Sequence, residues 1–179
     1  MINTYRIELK WALLISLAGL LWLAMTNLLG FHSSKLSFYP VMYLIENIFI
    51  FVISLIFTLV GATEKLANFR LKNNFSNGMR TCLRIGLISV IAGALIWVIY
   101  LTYINPGFTT EVAAYNKTNY PESYQPASFR IPTFIRQYVS NRLFQSMIIA
   151  IAVPLILQRM QKKHEEETVD IAKEDSESQ

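Results

Sequence analysis

The sequence lacks the short motifs that mark many enzymes. It has no Gly-x-Ser-x-Gly elbow, no Walker loop and no dinucleotide fingerprint. Its two histidines, His32 and His164, fall on opposite sides of the predicted topology, and no His-x-x-x-His or paired-carboxylate spacing accompanies them. We therefore expect no cofactor, no metal ion and no catalytic residues. A lipid-handling enzyme, the weakest alternative, would need an acid–base pair that the sequence does not supply.

Cysteine is also scarce. The single cysteine, Cys82, cannot form an internal disulfide, and it lies at the start of the third long apolar run. We expect it to pack against neighbouring helices, because a reactive thiol needs an accessible site that lowers its pKa.

Charge is missing from four long apolar runs. Charged residues make up 16% of the chain against 53% hydrophobic ones, and they collect in loops and at the ends. A run of 23 residues reaches about 35 Å as a helix, which exceeds the hydrocarbon core of about 30 Å. The sequence thus predicts an all-α, polytopic membrane protein whose bundle of four transmembrane helices spans residues 9–31, 40–62, 82–104 and 140–158.

The chain is predicted to divide into a four-span domain, residues 1–160, and a charged cytoplasmic tail, residues 161–179, which should be disordered. An outer loop over residues 105–139 separates the third helix from the fourth. Prolines divide this loop into short segments, of which Glu111–Lys117 should form one or two helical turns. A ligand-binding lid is the alternative to a simple interfacial loop.

Basic residues indicate the orientation. If both termini are cytoplasmic, eleven of the 16 Lys and Arg residues lie on the cytoplasmic side, as the positive-inside rule requires. Topology then accounts for the net charge of +4, and we expect no nucleic-acid partner. The loop between the second and third helices should contact anionic lipid headgroups, and a partner-binding loop is the alternative. The basic residues expected to make these contacts are Lys65, Arg70, Lys72 and Arg80.

Small residues recur at helical spacing on two of the predicted spans. Ser16 and Gly19 share a face of the first helix, and Gly86, Ser89 and Gly93 form a groove on the third. In membranes, small residues let helix backbones approach closely. We expect these five residues to pack helices together.

Glu46 is the acidic residue inside the predicted spans and the strongest candidate for a functional site. A charged group at mid-membrane costs about 2.5–3.5 kcal/mol on insertion scales, and such a group usually faces the bundle interior with a partner. Arg142, at the start of the fourth helix, is the expected partner. Asn27, Asn47 and Gln145 complete the predicted polar cluster. A structural cluster, a substrate or proton site, and a contact between subunits all remain open as interpretations.

Several short segments resemble a family of bacterial membrane proteins. They are Glu8-Leu-Lys-Trp11 and Trp22 in the first helix, Gly30-Phe-His32 at its end, and Ile104-Asn-Pro-Gly107 after the third. On these residues the chain resembles, over most of Tyr5–Met160, the family known as domain of unknown function 4199. The resemblance implies a four-helix protein of the bacterial inner membrane, and it supplies no catalytic or binding residues.

The favoured functional hypothesis is a non-enzymatic accessory or regulatory component of the membrane. It would act in the lipid bilayer through a membrane-protein partner or a second copy of the chain. The alternative is a small oligomeric transporter or channel-like protein, in which Glu46 lines a polar path.

Overall fold

The computed structural model describes residues 5–33, 35–68 and 74–177, with side chains through residue 163. These residues form five α-helices: α1 Arg6–Leu28, α2 Tyr39–Asn68, α3 Phe75–Ile99, α4 Phe108–Asn119 and α5 Ile131–Glu177. A π-helical turn at Tyr100–Ile104 extends α3, and 3₁₀ turns at Leu36–Phe38 and Pro126–Phe129 precede α2 and α5. No strand occurs in the described ranges, so the predicted all-α class is confirmed.

Four helical segments of the described chain are long and apolar enough to cross a membrane, which confirms the predicted number of spans. They are Arg6–Leu28, Leu36–Asn68, Phe75–Ile104 and Ile131–Lys163. The bundle therefore has a terminal end, where α1 begins and the fourth span finishes, and a loop end, where α1 finishes and α4 lies. Exposed apolar side chains such as Leu21, Ile91 and Phe144 cover the outside of the bundle, as a lipid-facing surface requires.

The fourth span begins earlier than the sequence predicts. Helix α5 starts at Ile131 instead of residue 140, so the outer loop ends at residue 130 instead of 139. Pro132 lies in the first turn, where backbone N–H groups have no intrahelical partner and proline is tolerated. Phe134 and Tyr138, which were assigned to the loop, pack against the core at the loop end.

Helix α5 also extends further at its other end. The structure carries it through Glu177, whereas the sequence predicts a disordered tail from residue 161. Five glutamates and three lysines, which are good helix formers, make up nearly half of residues 161–177. A helix that is already nucleated in the bundle can propagate into such a sequence without forming a new nucleus.

Helix α3 packs closely against α5 through small residues. A Cβ added to Gly86 would lie 2.7 Å from the Cβ of Ser146, and one added to Gly93 would meet the Tyr138 hydroxyl. On the α1 side, the Ser16 hydroxyl lies 3.4 Å from the Ser89 carbonyl oxygen and donates to it. The small-residue groove of α3 is thus occupied by α5 side chains.

The loop end is closed by α4. Phe108, its first residue, is fully buried and packs with Leu23, Trp97, Tyr100 and Leu101 in one hydrophobic cluster. The segment predicted to form one or two turns is therefore a three-turn helix that lies on the bundle. Its position leaves a cavity between α4, α2 and α5, which is described below.

Candidate functional site

Glu46 and Arg142 meet near the loop end. Glu46 lies on α2 and Arg142 on α5, and both side chains are largely buried, with 12% and 7% of their surface exposed. Arg142 Nη2 is 3.6 Å from Glu46 Oε1. This separation exceeds the usual length of a charge-assisted hydrogen bond, about 2.7–2.9 Å. The two charges attract each other, but neither satisfies the other by a direct hydrogen bond.

The other contacts of Arg142 leave part of its guanidinium unsatisfied. Nη1 donates to Gln145 Oε1 at 2.7 Å, and the guanidinium carbon lies 5.3 Å from the centre of the Tyr138 ring. The buried Nε has no hydrogen-bond partner among the residues that the structure describes. A buried, unpaired donor costs about 1–3 kcal/mol, and more when it is charged. The guanidinium therefore carries one buried donor that the described residues leave unsatisfied.

Asn47 and Gln145 join the cluster by a backbone contact. Gln145 Nε2 donates to the Asn47 carbonyl oxygen at 3.4 Å, which links α5 to α2. The Asn47 side chain instead donates to the Tyr43 carbonyl oxygen of its own helix. The structure thus brings together four of the five predicted cluster residues.

Asn27 lies elsewhere, which corrects the predicted cluster. The chain leaves α1 through a Schellman motif at Gly30, whose φ of 80° turns the backbone towards the bundle. This turn buries His32 beside Tyr100 of the π-helical turn. The Tyr100 hydroxyl donates to Asn27 Oδ1 at 2.8 Å, and His32 Nδ1 lies 2.6 Å from that hydroxyl. Sequence reasoning missed this group, because no helical spacing relates a loop histidine to the end of α3.

The Tyr100 hydroxyl determines which ring nitrogen of neutral His32 carries the proton. Since this hydroxyl donates to Asn27, it accepts from Nδ1, and the neutral ring carries its proton there. Nε2 lies 3.4 Å from Thr26 Oγ1 in the protein interior. Burial disfavours the imidazolium and lowers the pKa of His32 to about 4. His32 is therefore neutral at physiological pH.

A cavity of about 300 Å³ lies above the Glu46–Arg142 pair, between α2, α4 and α5. We call it the loop-end cavity. Its walls combine aromatic groups with neutral polar ones: Tyr39, Tyr43, Trp97, Phe134, Asn116 and Gln137. This mixture of apolar lining and a few convergent polar groups is typical of small-molecule sites.

A second, narrow cavity of about 30 Å³ lies on the other side of the pair, towards the middle of the bundle. Glu46 and Arg142 line both cavities. The narrow cavity is also lined by one serine from each spanning helix: Ser16, Ser54, Ser89 and Ser146. Its volume corresponds to about two water molecules. The ion pair therefore forms the floor of the loop-end cavity and the roof of a small polar space.

A second buried ion pair, which sequence reasoning missed, lies at the terminal end. Glu8 of α1 is fully buried and pairs with Lys65 of α2, and Arg84 of α3 lies 3.6 Å from the same carboxylate oxygen. Next to it, Glu64 accepts hydrogen bonds from Lys10 at 2.8 Å and from Trp11 at 2.6 Å. The presence of Glu8 among basic residues was the available signal.

The pairing of Lys65 corrects another prediction. Lys65 was expected to contact lipid headgroups, but it is buried, with 2% of its surface exposed. The count of basic residues indicates a side of the membrane, and it carries no information on whether a side chain turns inwards. Arg80 is exposed at the same end, whereas Arg70 and Lys72 lie outside the described residues.

Metal ligands do not gather in the described part of the chain, where no three His, Cys, Asp or Glu residues lie close enough to hold an ion. Cys82 is buried in the apolar core near the terminal end. The Glu46–Arg142 pair places one acidic and one basic group at the cavity floor.

Comparison with known proteins identifies the family of the chain. No curated protein matches the chain, and no solved structure does. One family model matches residues 10–159, which include all four spans for nearly their whole length. The chain therefore belongs to the family described as protein of unknown function (DUF4199).

Proposed function

We propose that this protein is a non-enzymatic accessory component of the bacterial inner membrane, which binds a small ligand in the loop-end cavity. Ligand occupancy would be communicated to a membrane-protein partner or to a second copy of the chain. The observation that carries this proposal is the incompletely satisfied guanidinium of Arg142: its Nε has no hydrogen-bond partner among the described residues, and its Nη2 lies 3.6 Å from Glu46 Oε1.

Burial of two charges is energetically favourable only when additional hydrogen-bonding groups satisfy both of them. Removing ions from water costs several kcal/mol each, and attraction offsets this cost only with good geometry and additional hydrogen bonds. Here the geometry of Glu46 and Arg142 is poor, and one donor is unused. A ligand with an anionic oxygen would satisfy Nε, and a cationic group on it would satisfy the carboxylate.

Binding is favoured over catalysis by the composition of the cavity walls. Beyond the Glu46–Arg142 pair, the named lining groups are phenols, amides and aromatic rings. A general acid or base needs a titrating group positioned against the reacting atom. The carboxylate here faces a guanidinium 3.6 Å away, so the floor of the cavity presents one acidic and one basic group to a ligand.

The first test is whether a ligand copurifies with the protein. The full chain would be purified in mild detergent from native membranes, and small molecules released by denaturation would be identified by mass spectrometry. We expect a molecule that is retained by wild type and lost in Arg142→Gln. The matched control is Arg136→Gln, an exposed arginine on the same helix. Identical extracts from all three proteins would refute the proposal.

Orientation is tested separately. With cytoplasmic termini, the loop-end cavity opens on the outer side of the membrane. Cysteines introduced at the exposed positions Ser33 and Asn74 should then react with a membrane-impermeant maleimide from outside and inside, respectively. Labelling of both from one side would overturn the topology.

A small oligomeric transporter or channel-like protein is the second candidate. The narrow cavity beneath the ion pair favours it, because a polar path from Glu46 would continue past Ser54. In proteoliposomes, this function predicts solute or proton flux that Glu46→Gln abolishes. Equal flux in wild type and the variant would exclude this path.

A further inference from the structure

We propose that the ligand is a phospholipid with a phosphoethanolamine headgroup, which enters the loop-end cavity sideways from the membrane between α2 and α5. This inference rests on the proposed function and names its ligand class. Arg142 would bind the phosphate, Glu46 would bind the ammonium group, and the acyl chains would remain in the groove between the two helices.

A groove on the lipid-facing surface adjoins the cavity. It has a volume of about 470 Å³ and lies between α2 and α5. Four residues line both the groove and the cavity: Pro40, Tyr43, Asn47 and Asn141. On its outer side the groove is bordered by Leu44 and Phe144, which expose 60% and 67% of their surfaces. An acyl chain lying against these two residues would thus point at the cavity.

The partition between groove and cavity includes two side chains that can rotate, Tyr43 and Asn141. Asn141 Nδ2 donates to the Tyr43 hydroxyl at 2.8 Å, and both residues are exposed. Exposed side chains change rotamer within picoseconds to nanoseconds. Rotation of this pair would open the seam without any movement of the helices. A polar pair at a lipid-facing surface also suits the headgroup region.

The ion pair lies at a depth that a headgroup can reach. The second span, Leu36–Asn68, has 33 residues and is about 50 Å long, some 20 Å more than the hydrocarbon core. Glu46 is ten residues from its start, about 15 Å along the helix. If the excess length is shared between both ends, the carboxylate lies about 5 Å inside the hydrocarbon boundary.

Charge complementarity selects the headgroup. Arginine binds phosphate through several N–H donors, and Arg142 has an unused one at Nε. The carboxylate of Glu46 requires a cation that can donate hydrogen bonds, which a primary ammonium does and a choline group does not. The aromatic rings of Tyr39 and Trp97 in the same walls favour a cation further. A headgroup that joins phosphate and ammonium by two carbons meets both residues at once.

The test uses native mass spectrometry of the full chain in detergent with three lipids of identical acyl chains: phosphatidylethanolamine, phosphatidylcholine and phosphatidylglycerol. We expect phosphatidylethanolamine to be retained at least tenfold better than the other two. Glu46→Gln should remove this preference while some phospholipid still binds, and Arg142→Gln should remove binding. Glu111→Gln, which changes an exposed carboxylate on α4, is the matched control and should behave as wild type.

Soluble glycerophosphoethanolamine distinguishes the headgroup from the whole lipid. We expect it to compete with phosphatidylethanolamine at least a hundredfold less well than added lipid, because it lacks the acyl chains that the groove holds. Equally strong binding of the soluble compound would overturn lateral access. Should Arg142→Gln not fold, the loss of selectivity in Glu46→Gln decides the assignment by itself.

The two proposals fail in different ways. Equal retention of the three lipids, or selectivity that persists in Glu46→Gln, overturns the lipid assignment. If another molecule then copurifies with wild type and is lost in Arg142→Gln, the proposed binding function stands. If no molecule depends on Arg142, both proposals are wrong.

Discussion

Acidification should destabilise this protein through His32. The folded state holds this ring neutral, because burial lowers its pKa to about 4 from the ordinary 6.5. The unfolded chain therefore binds more protons than the folded one between these two pH values, and stability falls as pH decreases. The contribution is constant above about pH 6.5 and is lost progressively below it.

The size of the effect follows from the two pKa values. Each pKa unit corresponds to about 1.4 kcal/mol, so the full loss below pH 4 would be about 3 kcal/mol. Between pH 7.5 and pH 5 the free energy of unfolding should fall by about 2 kcal/mol from this residue. Burial accounts for the direction of this pKa shift, since 3% of the His32 surface is exposed.

The assay is reversible unfolding by sodium dodecyl sulfate in mixed micelles, followed by circular dichroism at several pH values. Comparison with His32→Gln removes the contribution of all other titrating groups, because both proteins carry them. The difference in free energy of unfolding between wild type and variant should shrink by about 2 kcal/mol from pH 7.5 to pH 5. A difference that varies by less than about 0.5 kcal/mol would refute the assigned burial and protonation of His32.

Two further predictions concern helix packing and the terminal end. Lys65→Met should destabilise the protein by about 3–5 kcal/mol, because it leaves the buried Glu8 carboxylate without its partner Lys65. In the same unfolding assay, adding Glu8→Gln to this variant should recover most of the lost stability. No recovery would contradict the pairing of Glu8 with Lys65. Gly86→Ala should destabilise by about 1–3 kcal/mol through overpacking against Ser146, 2.7 Å from the new methyl group. Gly19→Ala, whose methyl group would meet its nearest neighbour at 3.6 Å, should be neutral or slightly stabilising, and equal effects of the two would contradict the proposed close approach.

The sequence predicts the spans because the hydropathy and the length of a segment are set by its own residues. Those two quantities are properties of each segment, so four spans could be identified without knowledge of packing. The predicted start of the fourth helix was wrong because Pro132 was interpreted as a loop residue, although a proline in the first turn is compatible with a helix. Phe134 and Tyr138, which follow it, are partly buried against a cluster that contains Phe108 of α4 and Trp97 of α3, and sequence periodicity does not predict this packing.

The sequence predicts those site residues that are energetically costly to place in the membrane. An acidic group within an apolar span needs a partner at its own depth, and Arg142 was the basic residue available to Glu46. Glu8 does not meet this criterion, because it precedes the first predicted span, which begins at residue 9. The cavity was not predictable, because it depends on where α4 lies relative to α2 and α5.

The two buried ion pairs differ in the time that separates the synthesis of one partner from the synthesis of the other. Glu8 and Lys65 are 57 positions apart and belong to consecutive spans, so their pair can form as soon as the second span has entered the membrane. Glu46 and Arg142 are separated by 96 positions (142 minus 46), which a ribosome adding about 5–20 residues per second covers in about 5–20 s. During this interval Glu46 is in the membrane before its partner has been made. Insertion of the last span is therefore the step that completes the bundle, and a chain stalled before it would expose a carboxylate that membrane quality control can recognise.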